Sequence, residues 1–504
     1  MNGGIFLILK KLLIGIQGIK FKGDLNTEIS GVECNSKEIK ENSIYVAIQG
    51  YDFDGTEFIN EAILNGANSI VIPDTTDFKK IKIPNEINII AVPNTRLALA
   101  LISCNFYNNP SRQMKLIGIT GTKGKTTTSF MIKAILEKQG IKVGLIGTIA
   151  IYIGDNCIKK SERTTPESND LQKILAKMYE EGVEVVIMEV SSQSLKLDRV
   201  EGCDFYAGIF TNFSEDHISE KEHPDMNDYF KSKLKLFKTC KKIYTNADNL
   251  YTAKLPDIIN DKEVETYGID NYCKLVAKDI TVTNTYADFK IKIYDRNERV
   301  KVSIPGRFSV YNALAAISIA KLFNIDTEKM KEALENVKVP GRSELIENKL
   351  DLKIMIDYAH TPESLESILK TAKEYTTGRV ICVFGCGGDR DKHKRATMGE
   401  IATKIADYTI ITSDNPRTEN PETIIEEIEA GAKKCKGSYE CITERKEAIF
   451  KAIKMANKKD LIILAGKGHE TYQEINGKKI EFDERKIIIE GTEKIRKNNK
   501  KKKN

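Results

Sequence analysis

The chain has 504 residues, 41% hydrophobic and 30% charged, the make-up of an ordinary globular protein too long for a single core. Its net charge of +6 comes from the end: KIRKNNKKKKN (494–504) holds seven Lys and Arg and no acid, so the body stands at −1 and gives no electrostatic case for a nucleic-acid partner. Ten cysteines without a C-x-x-C pair argue against a disulfide framework or zinc site and suit a reducing cytoplasm.

The start, IFLILKKLLIGI, is broken by Lys10 and Lys11 and lacks the flanks of a secretory signal. No apolar run reaches the ~18 residues of a membrane helix, so no membrane insertion is expected. Up to about residue 110, short strands (43–50, 68–74) alternate with a helical pattern over 55–67. A polar stretch with Pro110 then leads to the strand KLIGITG and the helix TTTSFMIKAILEKQG. Buried strands are predicted at 183–192 and 205–214, small antiparallel strands within 262–305, and an apolar helix over 311–323. After VKVPGRSE (337–344) the strand–helix alternation restarts and runs to DLIILAGKGHE. The reading is an α/β protein of three domains: an N-terminal α/β substrate domain (1–110), a central P-loop ATPase-like parallel-sheet domain (111–340) and a C-terminal Rossmann-like domain (341–494). A basic disordered tail (495–504) follows. A monomer is expected.

The sequence GITGTKGKTTTSF (118–130) looks like a phosphate-binding loop but misses the usual G-x-x-x-x-G-K-[ST] spacing: five residues, not four, separate Gly118 from Gly124. The parts are nonetheless present. Gly121 and Gly124 let backbone N–H groups close on an anion. Lys125 supplies a cation and Thr126 a hydroxyl for Mg²⁺, and the following helix adds its N-terminal dipole. A bare glycine turn between strand and helix is the bland alternative.

The chain has five histidines, His217, His223, His360, His393 and His469, all at strand ends or in polar loops, which suggests a cleft fed by several strand ends. Glu189 and Asp357 each end an apolar strand, and a buried acid there needs a partner such as a metal. Each of these residues alone is as well explained by a structural hydrogen bond.

TGTKGKTTT, MEVSS, TNFSEDH, YNALAA, VPGR, DYAHTP, FGCGGDRD, SDNPRTENP and AGKGHE occur in this order over nearly the whole chain. The set resembles the Mur ligases, and within that family the diaminopimelate-adding type. The resemblance implies a variant phosphate loop of this spacing and an ATP-dependent amide ligation. The γ-phosphate passes to a substrate carboxylate, giving an acyl phosphate that an amine then attacks. It implies ATP as co-substrate and Mg²⁺ as cofactor. The substrates implied are UDP-N-acetylmuramoyl-L-alanyl-D-glutamate and meso-diaminopimelate.

Site residues follow from the same resemblance. Lys125, Glu189, His217 and Lys233 are expected to be catalytic. Gly121, Thr122, Lys123, Gly124, Lys125, Thr126 and Thr127 would hold the ATP phosphates, with Asn312, Arg342, Asp357 and His360 near the nucleotide. Thr126, Glu189, His217 and Lys233 would bind Mg²⁺, Lys233 as the carbamylated lysine of the helix YFKSKLKLF. The nucleotide-sugar peptide would meet Ser36, Tyr51, Asp52, Phe53, Arg163, Thr164, Thr165, Ser191, Leu197 and Arg199. The incoming amino acid would meet Arg390, Asp414, Asn415, Pro416, Arg417, Gly466 and Glu470.

The chain departs from the family pattern at Gln193 (usually His), Arg163 (commonly Asn), Lys123 and Ser309. The stretch DHISEKEHP is also longer than usual. Gln193 and that stretch resemble lysine-adding relatives, so L-lysine is the competing amino acid. Arg417 and Arg390 favour a second carboxylate over an ammonium at the far end of the amino acid. Arg417 could instead pair with a neighbouring acid such as Glu419. A folylpolyglutamate synthetase-like ligase and a partitioning or switch ATPase are the remaining alternatives.

Overall fold

The computed structural model describes residues 6–50, 53–76, 83–216, 218–219 and 222–501. Alternating apolar strands and helices give α/β layers, as the sequence predicts. The chain divides into two compact units, Met1–Val276 with Leu314–Met330, and Ala277–Ala313 with Lys331–Asn504.

In the first unit, a five-stranded sheet runs in the order Lys20–Lys22, Asn88–Val92, Ala67–Pro73, Ser43–Val46, Gly31–Glu33. All its pairings are parallel except that of the first strand. Helix Thr95–Phe106 buries Ala98, Leu99, Ile102 and Phe106 against Val46, Val71 and Ile90 of this sheet. Asn94 caps the helix, its side chain accepting from the N–H of Arg96 and Leu97 at 3.0 Å. The helical pattern over 55–67 resolves into a 3-10 turn, Gly55–Phe58, and a short helix, Ile59–Leu64. Gly66 stops it at φ +108°, where a Cβ would press to 2.8 Å on the Glu41 backbone.

The larger sheet of this unit orders its strands Asn156–Lys160, Ala150–Ile153, Val143–Ile146, Val185–Glu189, Lys115–Thr120, Phe205–Phe210, Lys242–Asn246, Val264–Gly268. From Val143–Ile146 onward the pairings are parallel. Both faces are covered, which is why these strands read as unbroken apolar runs. Val264–Gly268 corrects the expectation for 262–305, because it pairs parallel with Lys242–Asn246. Strand Lys115–Thr120 lies between Val185–Glu189 and Phe205–Phe210, which the chain reaches by turning to opposite sides. A crevice is expected beyond its carboxyl end, and the glycine loop starts there.

From Ala277 onward the second unit carries an antiparallel meander of strand Leu275–Val282 with Ala287–Ile293 and Arg296–Val302. Its six-stranded sheet is ordered Glu344–Leu345, Lys353–Asp357, Leu461–Ala465, Val380–Phe384, Tyr408–Ile411, Tyr439–Cys441, and only the first strand is antiparallel. The expected disordered tail is corrected: helix Glu484–Lys501 carries the chain through most of it. Ile487, Ile488 and Ile495 join the cluster of Ile449 and Ile453, so an apolar stripe holds a helix whose exposed face mixes Lys486, Lys494, Arg496 and Lys497 with Glu490 and Glu493.

Candidate active site

The phosphate loop is held from below by the neighbouring strand end. Thr122 N donates to Asn212 O at 3.0 Å and Lys123 N to Asn212 Oδ1 at 2.9 Å. Gly121 sits at φ +147°, and a Cβ there would meet Thr211 Oγ1 at 2.0 Å. Gly124 is left-handed at φ 85° and starts helix Lys125–Gln139. These two glycines give the turn its unusual spacing. Lys125 Nζ folds back on the loop, donating to Gly121 O at 2.8 Å and Thr122 O at 3.1 Å.

Thr126, one residue into the helix, donates through Oγ1 to Glu189 Oε2 at 2.9 Å. Glu189 is buried at the end of its strand. Thr148 completes its surroundings, donating from N to Oε1 and from Oγ1 to Oε2, both at 3.0 Å. These three donors satisfy the buried carboxyl oxygens. Lys233 is fully buried in helix Met226–Leu234, with Nζ 3.0 Å from Gly121 O and 4.5 Å from the Tyr229 ring centroid. Burial, and then the Lys125 charge, pulls its pKa well below that of an ordinary lysine. Tyr229 ties the same helix to the loop, its hydroxyl 3.2 Å from Thr122 Oγ1. Thr126, Glu189 and Lys233 thus surround one loop. His217 lies outside the described residues. Among the described residues no three His, Cys, Asp or Glu side chains form a metal cluster. The fit for Mg²⁺ rests on the hard oxygens of Thr126 and Glu189.

A cavity of about 740 Å³ opens in the same unit. Ser36, Phe53, Arg163, Leu197 and Arg199 line it, together with Gln193. Tyr51 and Asp52 lie outside the described residues. Ser36 donates to the Glu61 carboxylate, so its hydroxyl is already engaged. Thr164, Thr165 and Ser191 are absent from the lining. Thr165 Oγ1 donates to Glu189 O at 2.9 Å and accepts from Ser191 N at 3.1 Å, and Thr164 Oγ1 lies 3.1 Å from Thr148 Oγ1. They brace the carboxylate strand.

Glu33, on the cavity wall, accepts from Asn169 Nδ2 at 2.9 Å. Burial raises its pKa to about 7, against the pull of Lys173. A carboxyl raised from 4.5 to about 7 favours the fold fully below pH 4.5 and loses that contribution as pH rises through 7. Glu33→Gln should therefore melt higher than wild type at about pH 8, by on the order of 1 kcal/mol after solvent screening, and nearly equally at about pH 5. Melting curves at both pH values check this. A gap that does not change with pH refutes it.

In the second unit, Arg342 stacks 4.6 Å over the Tyr358 ring. Asp357 accepts from Ser343 N at 2.7 Å and Ala359 N at 2.9 Å, and burial raises its pKa. His360 donates from Nδ1 to Tyr358 O at 2.8 Å, and Asn312 is buried in helix Arg307–Leu322. Along the carboxyl edge of the sheet, Asp414 Oδ2 is buried without a hydrogen-bond partner and faces Gly466, where a Cβ would come within 2.7 Å. Asn415 links Lys467 Nζ (2.9 Å) and Glu470 Oε2 (2.8 Å), and burial raises the Glu470 pKa. Pro416 O packs so close to Gly388 that a Cβ there would fall 1.9 Å away.

Arg417 takes a left-handed φ of 53° and donates from Nη1 to Gly388 O at 2.7 Å, with Nε 3.3 Å from Glu474 Oε2. The expected alternative partner, Glu419, is bound instead by Arg395 and Lys392. Arg390 is exposed. The histidine pattern is also corrected: His223 is fully buried, 2.7 Å from Asp228 Oδ2 and 2.9 Å from Ser192 Oγ, so it pins two helices and feeds no cleft. Thr148, Asn212 and Lys467 were missed. Each follows the end of an apolar strand, the signal that singled out Glu189.

A glycine loop carrying lysine, hydroxyl and carboxylate at the crevice of a doubly wound sheet defines a nucleotide-binding protein of the P-loop class. Family models match at three places: "Mur ligase family, catalytic domain" over 28–107, "Mur ligase middle domain" over 119–320, and "Mur ligase, glutamate ligase domain" over 341–468. A Caldanaerobacter subterraneus subsp. tengcongensis protein named UDP-N-acetylmuramoyl-L-alanyl-D-glutamate--2,6-diaminopimelate ligase is 48% identical over 94% of this chain and 97% of its own. A Clostridium acetobutylicum protein of that name, numbered 1, is 46% identical over 96% and 98%. A solved structure of a ligase with the same name superposes with a TM-score of 0.69 at 26% identity, over 97% of this chain and 99% of that one. The chain belongs to the Mur ligase family. Membership disposes of the switch-ATPase alternative.

Proposed function

We propose that this chain is the ATP-dependent ligase that joins meso-diaminopimelate to UDP-N-acetylmuramoyl-L-alanyl-D-glutamate in the cytoplasm, with Mg²⁺ as cofactor. Two relatives at 48% and 46% identity carry that activity in their names over nearly their whole lengths. Among the described residues no helix is long and apolar enough to cross a membrane.

The γ-phosphoryl group moves from ATP to a substrate carboxylate oxygen and ADP leaves. The amine then attacks the acyl carbon, the C–N bond forms and phosphate leaves. The loop amides from Gly121 to Thr127 cradle the phosphates and Lys125 meets their charge, since such a transfer needs mainly positioning and electrostatics. Thr126, Glu189, His217 and carbamylated Lys233 would hold Mg²⁺, which would neutralise phosphate charge there.

The observation that carries the choice of amino acid is the set of charged groups along the carboxyl edge of the second unit's sheet. Arg417 is fixed by Gly388 and Glu474, and the buried Asp414 Oδ2 and Glu470 lie along the same edge. A guanidinium suits a second carboxylate, while Asp414 and Glu470 suit ammonium groups. Diaminopimelate carries both kinds of group at its far end. Lysine carries only the ammonium.

Phosphate release, measured with the UDP-sugar dipeptide and a panel of amino acids, tests the reading. Meso-diaminopimelate should exceed L-lysine by at least about tenfold in kcat/KM. Arg417→Ala should erase that preference. Preference for L-lysine or ornithine would overturn the choice of amino acid, and turnover on folate instead would overturn the substrate class.

A further inference from the structure

Two parts of the first unit's site stand on separate stretches of chain. The segment 191–199 begins two residues after Glu189 and carries Gln193, Leu197 and Arg199 into the wall of the 740 Å³ cavity. Helix Met226–Leu234 carries Lys233, with Nζ 3.0 Å from Gly121 O, and Tyr229, whose hydroxyl lies 3.2 Å from Thr122 Oγ1 of the phosphate loop. His223 stands between the two. Its ring is fully buried, 5.0 Å from the Tyr229 ring. Nδ1 is 2.7 Å from Asp228 Oδ2 in that helix, and Nε2 is 2.9 Å from Ser192 Oγ, at the start of helix Ser192–Lys196.

A carboxylate only accepts, so Nδ1 carries the proton. Burial lowers the ring's pKa against the pull of Asp228, which keeps the ring neutral, and Nε2 then accepts from the Ser192 hydroxyl. Both nitrogens are engaged and the ring is sealed from water, so it acts through its neighbours. Two lysines make the same crossing. Lys196 Nζ donates to Asp228 Oδ2 and Glu222 O, both at 2.9 Å, and Lys235 Nζ donates to Leu195 O at 3.1 Å and Asp198 Oδ1 at 3.2 Å. Their long side chains are 32% and 37% exposed, and ties of that kind are weak and adjustable. Leu195 and Tyr229 share one apolar cluster, but apolar packing is non-directional and sets proximity more than register. His223 is the short, buried and directional tie.

We propose that His223 is a positioning residue for the ligation: bonded to Ser192 on one side and Asp228 on the other, it holds the cavity segment 191–199 in register with the helix that carries Lys233 and Tyr229. The proposal rests on the ligase reading above. In that reading the sugar peptide brings its carboxylate to the cavity while the loop holds ATP. Phosphoryl transfer needs the two in line, and a misplacement of about 1 Å costs roughly a hundredfold.

The test is steady-state kinetics of the full chain as wild type, His223→Ala, Ser192→Ala and the double variant. Turnover is counted per ADP-binding site, from calorimetric titration with ADP and Mg²⁺, so that unfolded protein does not enter kcat. His223→Ala should lower kcat about tenfold or more while KM for ATP and for the sugar peptide each stay within about threefold, because register is lost and the separate binding contacts are kept. Ser192→Ala deletes one hydroxyl from the same tie and should lower kcat about threefold or more. The double variant should be no slower than His223→Ala, since both changes break one bond. A kcat per site within about twofold of wild type in His223→Ala, with only a lower melting temperature, overturns the proposal and makes the ring a structural pin. Should His223→Ala not fold, Ser192→Ala decides, and a wild-type kcat there overturns it equally. Additive losses in the double variant overturn the tie between the two residues. Wild-type ligation alongside any of these results leaves the functional reading standing, whereas absence of ligation by the wild type overturns that reading and the positioning role with it.

Discussion

Lys125→Ala is expected to lower ligation by about a thousandfold or more in kcat/KM. Lys125 is the first residue of its helix, and its ammonium is already turned over the loop onto the carbonyls of Gly121 and Thr122, at 2.8 and 3.1 Å. The side chain is therefore organised before any nucleotide arrives. In phosphoryl transfer the negative charge moves along the reacting oxygens, and a fixed cation stabilises it without reorganisation. Alanine removes that charge and the donor to Thr122 O, while Gly121 O keeps Lys233 Nζ at 3.0 Å. The loop itself should survive, because Asn212 and the two glycines hold its backbone. A melting temperature close to wild type should accompany the loss. Near-normal turnover would show that the loop does not carry the phosphates. Arginine should not restore activity, since its fork is bulkier and differently directed than an ammonium.

Lys233→Ala is expected to be comparably severe, with a different signature. Lys233 is buried against Gly121 O and the Tyr229 ring, with the Lys125 charge acting on it as well. Burying a cation beside another cation is unfavourable, and a neutral amine relieves that cost. A neutral amine is also the form that attacks CO₂. The N–C bond forms, one proton leaves, and the product is an anion whose oxygens suit Mg²⁺. Intact mass of the native protein near neutral pH should therefore show the mass of one CO₂ added, and Lys233→Ala should lack it. Short carboxylic acids such as acetate should partly rescue the alanine variant by placing an anion in the vacated space. An unmodified lysine in fully active enzyme, or alanine activity that acetate leaves flat, would remove the carbamate from the mechanism.

Much of this site is legible in the linear chain because its chemistry is local. Gly121, Gly124, Lys125 and Thr126 are contiguous, and strand and helix flank them in the order a phosphate loop needs. Glu189 could be found because an acid ending the run VVIME has few structural excuses. The residues that escaped are those whose role depends on a partner far along the chain. Thr148 matters only because parallel pairing sets its strand beside Val185–Glu189. Arg96 and Glu167 are 71 positions apart and carry no motif, yet they meet in one cavity wall. His223 shows the opposite failure. Its polar neighbourhood suggested a cleft, while packing placed it inside, between Ser192 and Asp228.

The order of apolar strands and helices, the glycine loop and the family motifs determined the α/β class, the nucleotide site and the family, because each depends on short-range spacing that no later contact can alter. Tertiary structure alone decided which partner each charged group takes. It gave Arg417 to Glu474 and Glu419 to Arg395, drew the basic tail into a helix by docking Ile495, and set Arg96, Arg163 and Arg199 on the carboxylate of Glu167. Charges act through space, and which of them come within a few ångströms is set by how sheets and helices pack.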